Sequence, residues 1–251
     1  MNTRTVCLLF ALMLLPVAAQ CQLVDEFRPA SANYGLPSAI QRLADQMQDW
    51  NQLSRYQADN EKLKAEPAVP GRVVFMGDSI TDFWGLAASF PDKPYVNRGI
   101  SGQTTPQMLV RFYPDVIELQ PAAVIILAGT NDIARNTGPE TAEMIQRNLM
   151  AMAELAQVHG IKVIFCSIMP VSDYSRKQTV SHPPADILKL NVWIRNYAAK
   201  INAIYADYFT PLADEQGFFK QGTSDDGLHP NAAGYELMVP VAAAAIQKAL
   251  Q

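Results

Sequence analysis

Along the chain, short runs of apolar residues alternate with stretches whose apolar positions recur every three or four residues. Val73 to Met76 is an unbroken apolar run bounded by Gly71 and Gly77, which predicts a strand from Arg72 to Met76 buried on both faces. Ala122 to Ala128 and Lys162 to Cys166 predict two more strands of the same kind, and Tyr95 to Asn97 and Ala203 to Ala206 predict shorter ones. Between them, helices are predicted from near Ile80, over Thr105 to Tyr113, Pro139 to His159 with Gly160 as its stop, Ala185 to Lys200 and Asn231 to Leu250. Strands alternating with helices imply a mostly parallel sheet with right-handed crossovers. Met169 to Pro184 reads as a long loop with prolines at both ends.

Ahead of this alternation, Ile40, Leu43, Met47, Trp50, Leu53 and Tyr56 recur at helical spacing, which predicts one helix from Ser38 to about Lys64, ended by Pro67 and Pro70. The first residues have the pattern of an export signal. Arg4 supplies the charge, Val6 to Leu15 the short apolar core, and Val17-Ala18-Ala19 the small residues before cleavage. The expected organisation is therefore a signal peptide over 1–19, an N-terminal helical extension over 20–70 and a catalytic domain over 71–251. Cys21, close to the expected cleavage point, opens a second possibility, lipidation of an exported lipoprotein, although Gln20 departs from the small residue usual before such a cysteine. No other stretch is long and apolar enough to span a membrane.

Composition narrows the function. A net charge of -4 with no basic run argues against a nucleic-acid partner. Removal of the signal leaves Cys21 and Cys166, too few for a disulfide framework or a metal set, and Cys166 reads as a small buried residue.

Polar residues gather where the predicted strands end. Ser79 follows the first strand at a strand-to-helix turn, the edge at which open α/β sheets bind ligands. Gly99 follows the second strand, Asn131 the third, and Asp226 and His229 precede the last helix. A serine hydroxyl needs a base. His229 can supply it, and Asp226, three residues earlier, can hold the far ring nitrogen. Donors for an oxyanion could come from the Ser79 amide, the Gly99 amide and the Asn131 side chain. Each has a bland alternative: Asp226 and His229 as turn and helix cap, Gly99 and Asn131 as ordinary turn residues. Asp78 reads as a turn-holding residue, Trp84 as a pocket wall or a core aromatic, His182 as a solvated loop histidine, His159 as a helix-end residue, and Asp225 as a rival to Asp226.

Four blocks, Gly77-Asp78-Ser79-Ile80, Asn97-Arg98-Gly99-Ile100-Ser101-Gly102, Gly129-Thr130-Asn131-Asp132 and Asp226-Gly227-Leu228-His229-Pro230, stand in the order found in SGNH, or GDSL-type, hydrolases, which the chain resembles from Arg72 to its last helix. Ile80 stands where the family name implies Leu. The resemblance implies a three-layer α/β/α sandwich of about five mostly parallel strands. It also implies no cofactor or metal, and hydrolysis of esters or thioesters through an acyl-enzyme. By that resemblance Ser79 is the nucleophile, His229 the base and Asp226 its orienter, with Ser79, Gly99 and Asn131 forming the oxyanion hole. With the export signal, the expected function is a periplasmic or secreted esterase for short acyl groups, foremost acetyl on carbohydrate, because the second block resembles members that remove acetyl groups from a phospholipid or from sugars. A lysophospholipase or thioesterase, and a silent carbohydrate- or lipid-binding domain, are the alternatives. The segment before Glu66 lies outside the resemblance and carries no expectation about activity.

Overall fold

The computed structural model describes residues 47–67 and 69–251. The export signal over 1–19, Cys21 and the first part of the predicted N-terminal helix lie outside the described residues. Where the predicted helix is described it is not continuous. Asp49 accepts hydrogen bonds from the Leu53 and Ser54 amides and the Ser54 hydroxyl, and Gln52 takes a left-handed φ of 54°. This side chain competes with the helical ladder and breaks it. The chain resumes as a single 3₁₀ turn, Leu53–Arg55, and then helix α1, Gln57–Ala65.

The domain is built on a five-stranded parallel sheet of β1 (Val73–Gly77), β2 (Tyr95–Gly99), β3 (Ala123–Leu127), β4 (Lys162–Cys166) and β5 (Ile204–Ala206), in the order β2-β1-β3-β4-β5. Every residue of β1 and β3 is buried, which is why those stretches are apolar throughout rather than alternating. One face of the sheet, with Val74, Met76, Val124, Ile126 and Phe165, packs on Met108 and Phe112, on Leu149 and Met152, and on Leu190 and Ile194. The opposite face, with Val73, Phe75, Ile125 and Ile164, packs on Ile80 and Trp84 and on Met238, Ala242 and Ile246. The result is a three-layer α/β/α sandwich.

Three helices follow strand ends closely: α2 (Ser79–Asp82) after β1, α3 (Thr105–Asp115) after β2 and α4 (Thr130–Ile133) after β3. α5 (Ala142–Val158) ends at His159 and Gly160, whose φ of 72° is the left-handed stop expected of a glycine there. α6 (Pro184–Lys200) and α7 (Ala232–Ala249) complete the outer layers. From β1 the chain moves one way to β2 and then crosses back to β3, so the strand order reverses between β1 and β3. At that reversal the connections leave the sheet on opposite sides and open a crevice beyond the carboxyl ends.

The end of β2 lies hard against α2. The Asn97 side chain donates to the Thr81 and Trp84 carbonyls and accepts from the Gly99 amide, so strand and helix are clamped together. A Cβ on Gly99 would stand 2.1 Å from the Asp82 nitrogen, inside backbone that cannot yield. Gly99→Ala is therefore expected to cost about 3 kcal/mol and to lower the melting temperature by about 6–12 °C. An unchanged melting curve would contradict this packing.

Candidate active site

Ser79 is the first residue of α2. Asp78 caps the helix by accepting from the Ile80 amide at 3.0 Å, which turns the chain sharply out of β1 and sets the Ser79 side chain at the crevice. Burial, opposed by that hydrogen bond, pushes the Asp78 carboxyl up to about 7, so Asp78 holds the turn as a buried group rather than an exposed carboxylate. Ser79 is itself nearly buried, and as the first helical residue its amide has no partner among the described residues.

The other half of the constellation comes from the turn before α7. Asp226 Oδ1 accepts from the Leu228 and His229 amides at 2.9 and 2.8 Å, which curls the turn, and Asp226 Oδ2 lies 2.7 Å from His229 Nδ1. His229 Nε2 in turn lies 2.9 Å from Ser79 Oγ, across 150 residues of sequence. Burial would raise the Asp226 carboxyl, but the His229 and Leu228 amides and the imidazole outweigh it and hold it at about 2. An ionised carboxylate only accepts hydrogen bonds. His229 Nδ1 therefore carries the ring proton, and Nε2 turns its lone pair to the serine hydroxyl. Gly227 permits the turn: its φ is 81° and a Cβ there would stand 1.9 Å from the Ser172 carbonyl oxygen.

Asn131 lies in the first turn of α4, after the carboxyl end of β3, the strand beside β1. Its Oδ1 accepts from Asn136 Nδ2 at 2.8 Å, and its Nδ2 donates to the Gln103 carbonyl at 3.0 Å, leaving one amide hydrogen without an acceptor among the described residues. Gly99 does not join as predicted. Its N–H is spent on Asn97 Oδ1 at 2.8 Å, and the residue is glycine because α2 approaches too closely for a side chain. The amide of that block without an acceptor among the described residues belongs to Gly102, which sits in an exposed turn with φ 80°. Gly102 was legible as the second glycine of the block, but nothing local to the sequence says which glycine keeps its amide free.

Asp225 does not rival Asp226; it accepts from the Asn231 side chain at 2.8 Å. Trp84 is a core aromatic, 3% exposed, packed edge-on against Phe75 with ring centroids 5.7 Å apart. His182 is buried, contrary to the solvated loop histidine expected, because Gln178–Ser181 forms a helical turn that folds it inward against the Gln178 carbonyl. Burial, and secondarily His229, lower its pKa despite that carbonyl. His159 packs edge-on against Tyr113 at the end of α5. Burial pushes the Cys166 thiol up to about 12, which leaves it inert at neutral pH. Phe83, which sequence reasoning passed over, is 59% exposed with its ring 5.4 Å from that of His229. Among the described residues, no three or more His, Cys, Asp or Glu side chains converge as a metal set, and no helix is long and apolar enough to cross a membrane.

The sequence matches the GDSL-like lipase/acylhydrolase family over residues 75–237. A GDSL-like lipase from Bacteroides thetaiotaomicron is 37% identical and superposes with a TM-score of 0.73, over 80% of this chain and 99% of that one. Esterase TesA of Pseudomonas aeruginosa is 28% identical over 192 residues, 68% of this chain and 85% of TesA. The lipoprotein YqeF of Bacillus subtilis is 35% identical over 101 residues, a match spanning 36% of this chain and 42% of YqeF. With the sheet order, the family match and these relatives in agreement, the chain belongs to the GDSL-like lipase/acylhydrolase family of carboxylic ester hydrolases.

Proposed function

We propose that the protein is an exported serine esterase that removes short acyl groups, foremost acetyl, from carbohydrate. The hydrogen-bonded chain Asp226–His229–Ser79 carries the reading, since it supplies a nucleophile, its base and the group that fixes the base's tautomer. In the first half-reaction Ser79 Oγ attacks the ester carbonyl while His229 Nε2 takes its proton. The imidazolium so formed is stabilised by ionised Asp226. Negative charge on the carbonyl oxygen is met by the Ser79 amide, the Gly102 amide and Asn131 Nδ2, donors already in place before the reaction. Collapse of the intermediate expels the alcohol, protonated by His229, and leaves the acyl group on Ser79. A water deprotonated by His229 then attacks that ester, and the acid departs as Ser79 recovers its proton.

Export is supported by the charged, apolar and small-residue pattern of residues 1–19 and by the likeness to a lipoprotein. Phe83 offers a flat apolar face beside the base, suited to the C–H face of a sugar ring. The same exposed ring also suits a longer acyl chain, which favours a lysophospholipase or thioesterase as the second reading.

The test is hydrolysis of 4-nitrophenyl esters by the protein and by Ser79→Ala. Turnover of the acetate that falls by several orders of magnitude in the variant is expected, and equal rates would remove Ser79 as nucleophile. Activity should decline as the acyl chain lengthens. A maximum at about eight carbons or more would overturn the short-chain reading in favour of the second.

Asp226→Asn keeps the shape but frees the tautomer, and should lower kcat by roughly 10⁴. Because the folded-state carboxyl is held at about 2, below the ordinary 3.8, its stabilising effect is full above that ordinary value and is lost as pH falls towards 2. Acid unfolding followed over this window should therefore be less steep in Asp226→Asn than in the parent. Parallel curves would contradict the carboxylate's hydrogen-bonded state.

A further inference from the structure

Gln103 follows Gly102, is 1% exposed, and has every polar atom engaged. Its Oε1 accepts from Arg111 Nε at 2.5 Å and its Nε2 donates to the Asn51 carbonyl at 2.9 Å. Its amide closes the turn onto the Ile100 carbonyl at 3.3 Å, and its own carbonyl accepts Asn131 Nδ2 at 3.0 Å. A buried side-chain amide bound at both ends leaves its backbone one position only. That backbone holds Asn131 directly and is joined through one peptide bond to Gly102.

The anchor at the far end is outside the region the family match covers. Asn51 belongs to the segment ahead of residue 75, and the same segment reaches the second block at further points. The Trp50 carbonyl accepts from Gln107 Nε2, the Tyr56 hydroxyl donates to the Gly99 carbonyl, and Asn60 bridges Arg98 Nε and Asp115 Oδ1 at 2.9 and 2.6 Å. Arg98 also lies over the Tyr56 ring, 4.5 Å from its centroid.

We infer that Gln103 is a positioning residue that sets Asn131 and Gly102 for the developing oxyanion, and that the segment around Asn51 is a working part of the site because it holds Gln103 in place. This rests on the proposed roles of Asn131 and Gly102. Gln103 touches no reacting atom and acts through the donors, so its loss should appear in kcat with KM unchanged.

The experiment is a double-mutant cycle on 4-nitrophenyl acetate hydrolysis with Gln103→Leu, Asn131→Ala and the pair. Asn131→Ala alone should lower kcat roughly a hundredfold to a thousandfold. Gln103→Leu should lower it roughly tenfold to a hundredfold in the parent, as a donor slightly out of place does, and by a distinctly smaller factor when Asn131 is already gone, since only the share that acts through Gly102 is then left to lose. A parental kcat in Gln103→Leu, or the same factor lost in both backgrounds, overturns the inference and leaves the esterase reading standing. An undiminished kcat in Asn131→Ala removes Asn131 from the oxyanion hole and overturns the inference with it. Where Gln103→Leu does not fold, Gln103→Glu carries the test through the same cycle: it keeps an acceptor for Arg111 and replaces the donor to the Asn51 carbonyl with a carboxylate oxygen, and the charge it adds acts in both backgrounds whereas the loss of Asn131 positioning acts only where Asn131 is present. It should lower kcat at unchanged KM, and a parental kcat would overturn the role of the segment around Asn51.

Discussion

A guanidinium with no exposed surface stands behind the carboxyl edge of the sheet. Arg111, on α3, donates to the Gly77 carbonyl at 3.0 Å, to the Arg98 carbonyl at 2.8 Å, to Gln103 Oε1 and to Asp115 Oδ2 at 2.8 Å. Taking a cation out of water is tolerated only when its donors are satisfied, and removing a partner from such a buried pair typically costs about 3–5 kcal/mol. That cost is what makes Arg111 a constraint. The end of β1, the end of β2 and the turn after it must all present acceptors to one rigid fork, so their relative positions are set to within hydrogen-bond tolerance. Ser79 leaves the first of these ends, and Gly102 and Gln103 belong to the last.

The constraint explains an otherwise costly arrangement, several polar and charged side chains buried under the active edge. Arg98, Arg111 and Asp115 are all buried, and Asn60, from outside the matched family region, supplies the missing donor and acceptor between Arg98 and Asp115. The front of the site shows the same economy. One carboxylate, Asp226, curls a turn with Oδ1 and holds the His229 ring with Oδ2. The rigid rear and the hydrogen-bonded front meet across the 2.9 Å between Ser79 and His229, and beside it the Tyr235 hydroxyl on α7 donates to the Ile80 carbonyl on α2 at 2.8 Å. Preorganisation of this kind suits chemistry in which charge appears on one oxygen at a known place.

Most of the fold was legible, because strands such as Val73–Gly77 and Ala123–Leu127 are buried on both faces and leave an uninterrupted apolar signature. The convergence of Ser79, Asp226 and His229 was legible because each sits in a compact block at a strand or helix end, where a local reading suffices. What escaped depends on contacts between distant segments. The predicted helix through Trp50 fails on the Asp49 side chain, whose capping of Leu53 outcompetes a periodicity that is real but short. The choice between Gly99 and Gly102 turns on how closely α2 approaches β2, which no neighbouring residue encodes. Arg111 and Asp115 did leave a trace. They share the face of α3 that carries Met108 and Phe112, four apart on the core side, where a charged pair is out of place unless it is bound.

The most direct measurement is covalent capture. The protein treated with a fluorophosphonate probe, digested and weighed by mass spectrometry, should carry a single adduct on the peptide containing Ser79, because only a serine activated by His229 reacts at an appreciable rate. The adduct should be absent from His229→Ala. A folded, fully active protein that takes up no probe, or that takes it up on another residue, would contradict the account.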